Sequence, residues 1–182
     1  MTIPSLRRSA CLSLAIAALA LHVPAHAESQ FDEDFDDTSK AWQEIAVQLP
    51  RLPATIALMP FDVSATATQT FGIARDTLTV GADGVIRYVM VSRSASGAEN
   101  ISYEGLRCAS LEKKLYAFGH KDGSWSRSRR DRWEPISGNA ANRPHAALAG
   151  DYFCDGNTVA GNAASILRRL DARQSLVRHL AQ

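Results

Sequence analysis

The apolar positions of this chain change their spacing along its length, and each change marks a different kind of segment. Ala10 to Leu21 is a nearly unbroken apolar run. From Thr38 to Leu49 the pattern becomes helical: Trp42, Ile45, Ala46 and Leu49 fall at i, i+3, i+4 and i+7, which predicts a short amphipathic helix ended by Pro50. Pro50-Arg51-Leu52-Pro53 then reads as an extended connector. From Ala54 to Ile136 the period shortens to two, with strands expected over Ala54–Phe61, Thr77–Val80, Val85–Arg93, Ile101–Cys108, Leu115–His120 and Ser124–Arg129. Asp83-Gly84 and Asp122-Gly123 are hairpin signals, and Ser96-Gly97 marks a looser turn, so consecutive strands should run antiparallel.

Within Val85–Arg93, Ile86, Tyr88 and Met90 alternate with Val85, Val89 and Val91. Apolar residues on both faces predict a central strand covered on both sides. Beyond Ile136 the pattern weakens to a polar loop over Ser137–Asn142 and a helical turn over Pro144–Ala149. Asn162 is a candidate cap for a helix running from Ala163 towards His179. Ile166, Leu170, Val177 and Leu180 would be its buried stripe, with Arg168, Arg169, Arg173 and Arg178 mostly outward as a solvated basic face or a surface for an anionic membrane or partner. The expected fold class is therefore α+β: an antiparallel meander of five or six strands with one flanking helix before it and one after.

Arg7 and Arg8 precede the first apolar run, and Ala25-His26-Ala27 follows it with small residues where a signal peptidase reads. Residues 1–27 thus read as a secretory signal peptide cut before Glu28. The run is shorter than the roughly 18 to 20 apolar residues that span a bilayer, so no transmembrane segment is expected in the mature form. Cys11 opens the run instead of following it, which argues against lipidation, and Ser9-Ala10 after the arginine pair argues for the general secretory route over the twin-arginine one. Residues 28–37 form an acidic leader expected to be flexible. Asp32, Asp34 and Asp36 start like a calcium loop, but Asp37 and Gln43 stand where the required Gly and Glu would be.

Without residues 1–27 the chain has 155 residues, 18 basic and 19 acidic. That length fits one domain, and the near-neutral balance together with export excludes nucleic acid as an expected partner. Cys108 and Cys154 are the two remaining cysteines, and an even pair in an oxidising compartment predicts a disulfide. The rival is a cysteine nucleophile with His120 or His145 as its base.

Ser94 to Cys108, with its Tyr103-Glu104-Gly105-Leu106-Arg107-Cys108 segment, is the most distinctive stretch. With Asp83-Gly84-Val85-Ile86-Arg87-Tyr88, Tyr116-Ala117-Phe118-Gly119, Trp125 and Asp151-Tyr152-Phe153-Cys154, it resembles the cryptic neisserial protein-like family. The resemblance covers about residues 38–170 and implies a single domain over 38–180. It also implies an envelope protein of Gram-negative bacteria in a family without an established activity, hence a periplasmic address, with the periplasmic face of the outer membrane as an associated surface.

In a regular strand Tyr103, Gly105 and Arg107 share one face, and Ser102, Glu104 and Leu106 the other. A glycine inside a strand marks a bulge or a close backbone approach. A bulge there would let Glu104 meet Arg107, or meet Arg87 across a strand pair, as a structural ion pair or as a site in a cleft. The second cluster is Trp125, Arg127 and Arg129, which share a face if their strand continues and combine stacking with anion binding. Arg87, Tyr103, Glu104, Arg107, Trp125, Arg127 and Arg129 are therefore the candidate binding residues. No nucleophile elbow, phosphate loop or metal-ligand spacing occurs, so no cofactor or metal is expected. The reading is a non-enzymatic binding domain whose partner is an envelope protein or an anionic envelope component. The alternative is a small-ligand-binding domain or a cell-wall hydrolase with its site near Glu104 and Arg107, for which Glu112 or Asp122 would supply a second carboxylate.

Overall fold

The computed structural model describes residues 41–52 and 55–176. The segments expected to be an export signal (1–27) and an acidic leader (28–37), and the expected helix end at 177–180, lie outside the described residues. The elements in chain order are β1 (Leu58–Phe61), β2 (Gln69–Ala74), β3 (Thr79–Val80), β4 (Val85–Ser94), β5 (Glu99–Arg107), β6 (Glu112–Gly119), β7 (Trp125–Arg127) and β8 (Glu134–Pro135). Then come α1 (Arg143–Ala147), a π turn (Leu148–Phe153), the short strands β9 (Cys154–Asp155) and β10 (Thr158–Val159), and α2 (Ala163–Asp171).

One antiparallel sheet runs β1-β2-β4-β5-β6-β7, with β3 beside β4 and β8 beside β6, so it has eight strands instead of five or six. Two of its strands are absent from the sequence reading: β8, only two residues long, and β2, whose Gly72 lowers the apparent strand propensity. That glycine is there for space: a Cβ on it would lie 3.2 Å from the Leu58 Cβ of the paired strand. The hairpin turns form where expected, with Gly84 and Gly123 at φ of 74° and 82°, in the left-handed region that favours glycine.

β4 is covered on both faces, as its two-sided apolar pattern requires. Ile86, Tyr88 and Met90 pack with Leu106 against Leu148, Phe153, Ile166 and Leu170 of the helical layer. Val89 and Val91 pack with Tyr103 and Tyr116 on the opposite face, under Leu52 and the half-buried Val47 and Leu49. This second cover is not a helix. Residues 41–50 form an irregular strap across the sheet, which corrects the expected helix over 38–49. Ile45 and Ala46 of the supposed buried stripe are exposed, because the strap is held by polar bonds to the sheet and not by an apolar helical face. Among the described residues, α1 and α2 therefore both follow the sheet.

Asn162 caps α2 in a reciprocal box with Ser165, each accepting from the other's backbone N–H at 3.0 and 2.9 Å. The helix ends at Asp171, short of His179, where Arg173 takes a positive φ of 49°. Arg169 does not point outward as expected. It is half-buried and donates to the carbonyls of Tyr152 and Ala160, tying α2 to the π turn. The Cys108–Cys154 disulfide joins the end of β5 to β9 with a Cα–Cα distance of 5.6 Å. Closing a loop of sequence separation 46 stabilises the fold by about 4 kcal/mol in the chain-entropy account. Among the described residues no helix is long and apolar enough to cross a membrane.

Candidate functional site

The family-like motif lies on β5, the partner of central β4, and its charged residues go to opposite faces. β5 itself is regular. The register shift falls opposite Tyr103/Glu104, where Tyr103 pairs with Ala117 and Glu104 with Leu115, so Tyr116 of β6 is the extra residue. Gly105 marks the close approach that this bulge creates: a Cβ on it would overlap the Tyr116 hydroxyl. With no bulge in β5, Glu104 and Arg107 keep their alternation and do not meet, nor does Glu104 meet Arg87.

Glu104 faces the helical layer and is buried. Its Oε2 lies 2.7 Å from His145 Nε2, its Oε1 accepts from Ser102 Oγ at 2.7 Å, and Tyr88 OH donates to Oε2 at 3.4 Å. Burial pushes its pKa up, but the His145 hydrogen bond and charge, the Ser102 bond and the Lys113 charge outweigh burial and hold it below the ordinary value. Burial and the neighbouring Glu104 in turn push the Tyr88 hydroxyl up. His145 Nδ1 is buried without a hydrogen-bond partner among the described residues.

Arg87, Tyr103, Arg107 and Trp125 gather on the other face, under and beside the strap. Arg87 makes a two-pronged contact with Asp83 at 2.6 and 3.1 Å, and its Nη2 lies 3.6 Å from Glu44 of the strap. Asp83 also accepts from the Ile45 backbone N–H at 3.0 Å, and its carbonyl accepts from Trp42 Nε1 at 2.8 Å. Glu44 receives Lys114 at 2.9 Å and the Tyr116 hydroxyl at 2.5 Å, while Lys114 reaches Asp131 at 2.8 Å. Burial works against the charges of Asp83, Arg87 and Lys114, yet their partners prevail, keeping the acid's pKa low and those of both bases high. Burial and Glu44 push the Tyr116 hydroxyl up.

The Arg107 guanidinium carbon lies over Trp42, 3.8 Å from its ring centroid, and its Nη1 is 3.7 Å from Glu112. Trp125 packs on Tyr103 and donates its Nε1 to the Pro50 carbonyl at 2.7 Å, so it fastens the strap. β7 ends at Arg127; one residue on, the Ser128 hydroxyl accepts from the Arg130 N–H at 3.1 Å, and Arg129 lies beyond the strand. Arg127, Arg129 and Arg130 are exposed, and among the described residues none has a side-chain partner. Arg127 borders a cleft of about 240 Å³ with Glu44, Lys114, Tyr116 and Asp131. Among the described residues no three His, Cys, Asp or Glu side chains converge as metal ligands.

Sequence reasoning missed Glu44, Lys114 and Tyr116 as site residues, and offered His145 only as the base of a cysteine nucleophile, a role the Cys108–Cys154 bond removes. Asp83 was legible only as a turn former.

An antiparallel sheet strapped on one face, layered with short helices on the other and stapled from β5 to β9 defines the class of domain. The chain belongs to the CNP1-like family, whose pattern matches residues 37–171. It is similar to cryptic neisserial protein 1 of Neisseria gonorrhoeae (strain ATCC 700825 / FA 1090), at 28% identity over 153 residues covering 74% of each chain. No solved structure matches it.

Proposed function

We propose that the chain is exported to the periplasm and works there as a non-enzymatic domain that binds an anionic lipid surface of the envelope. The observation that carries this reading is the run of exposed cations Arg127, Arg129 and Arg130 at the end of β7, which have no side-chain partner among the described residues. Such cations attract an anionic surface locally even though the chain's overall charge is near zero. The motif acid Glu104, by contrast, is buried against His145, Ser102 and Tyr88, where it serves packing and not a substrate. The basic-apolar-small pattern of residues 1–27 and the Cys108–Cys154 bridge support the periplasmic address.

The exported product is expected to begin at Glu28 and to carry no acyl chain. It should co-sediment with vesicles containing phosphatidylglycerol and not with pure phosphatidylcholine vesicles, and salt should weaken the binding. At about 1 kcal/mol per cation near an anionic surface, replacing Arg127, Arg129 and Arg130 together with alanine should weaken binding about a hundredfold. Equal binding to both vesicles, or an unaffected triple variant, overturns the lipid reading; an intact mass retaining residues 1–27 overturns the exported form.

A further inference from the structure

The strap-side face of the sheet holds an open cleft of about 690 Å³ at the far ends of β4, β5 and β6, away from the Arg87 network. This is within the range of roughly 300–1,000 Å³ typical of small-molecule sites. Its floor is apolar: Leu52, Ile56, Leu58, Val91 and Ile101 line it from the strap and three strands. Its rim is charged. Arg93 and Glu99 neutralise one another across the β4–β5 hairpin, at 2.6 and 3.1 Å. Asp122 spends Oδ1 on the backbone and hydroxyl of Ser124, at 2.9 and 2.6 Å, and so holds its own turn together.

Arg51 and Lys121 also line this rim, and among the described residues neither has a side-chain partner. Two acids against Arg51, Arg93 and Lys121 leave an excess of one positive charge, above a floor that water solvates poorly. We infer that this cleft is a binding site for an anionic amphiphile, with its head group at Arg51 and Lys121 and its apolar body over Ile56, Leu58 and Val91. This goes beyond the surface binding proposed above and uses different residues. A carboxylate and a phosphate monoester head share the required chemistry.

The test is a titration of the exported chain with dodecanoate, dodecyl phosphate and dodecyltrimethylammonium below their micelle concentrations, read by the methyl resonances of Leu58, Val91 and Ile101. The expected result is saturable one-to-one binding of at least one anion, at least tenfold tighter than the cation of equal chain length; the tighter anion identifies the head group. R51A/K121A should weaken anion binding about tenfold. Thr55→Trp, a substitution at an exposed residue lining the cleft, should remove it by filling the space. Both variants must keep the parent thermal midpoint, and the R127A/R129A/R130A variant should bind the amphiphile as the parent does, which separates this site from the vesicle-binding surface. No saturable binding, equal affinity for the cation, an unaffected T55W, or loss in the R127A/R129A/R130A variant overturns the inference.

Discussion

Glu104→Ala is expected to destabilise the protein by about 3–5 kcal/mol, because it leaves His145, Ser102 and Tyr88 buried around an acceptor that no longer exists. Urea unfolding at pH 7 measures it. His145→Ala should cost a similar amount by stranding the carboxylate. A Glu104→Leu/His145→Leu double variant should recover much of the loss, since apolar replacement of a buried pair is often neutral or better. Arg107→Ala should cost only about 1 kcal/mol or less from its ion pair, whose partner Glu112 lies 3.7 Å away in a partly exposed setting, plus its packing on Trp42. If the Arg107 variant proves the more damaging, the assignment of His145 as the partner of Glu104 is wrong.

The same pair makes stability fall in acid. The folded Glu104 pKa lies below its ordinary value near 4.5. The unfolded chain therefore takes up the proton first as pH drops. The contribution is fully present above the unfolded value and is lost as pH falls through the lowered folded one. Thermal midpoints from pH 7 to pH 3 should show this loss in the parent, reduced in the double leucine variant.

Arg87→Met is expected to release the strap at a cost of about 3–5 kcal/mol. Its guanidinium is the cation between Asp83 and Glu44, and the methionine keeps the length of the side chain while removing that charge. Asp83, 1% exposed in its side chain, would then lose its cation, since Lys114 serves Glu44 and Asp131. Hydrogen exchange gives the specific readout: the Ile45 amide, which donates to Asp83, should lose protection before the amides of β4 and β5. Retained protection at Ile45 with unchanged stability would show that apolar contacts at Val47 and Leu49 hold the strap on their own.

Several features were legible from the chain because their causes are local. The Asp-Gly turns, the alternation that makes β4 a two-sided strand and the Asn162 cap each depend on residues within a few positions of one another. The Cys108–Cys154 pairing was legible for another reason, as the one pair that remains when residues 1–27 are read as a signal peptide. What failed were readings in which a local pattern competed with distant partners. The helical spacing of Trp42, Ile45, Ala46 and Leu49 lost to bonds from Glu44 and Ile45 to residues tens of positions away on the sheet. The partner of Glu104 lies 41 residues further on, in a short helix whose position depends on the fold. Even the bulge expected at Gly105 belongs to the neighbouring strand, because register is a property of two strands. Periodicity decides which face a residue occupies; which charges meet there depends on sheet register and on the segments that close over it, and those exist only once the chain has folded.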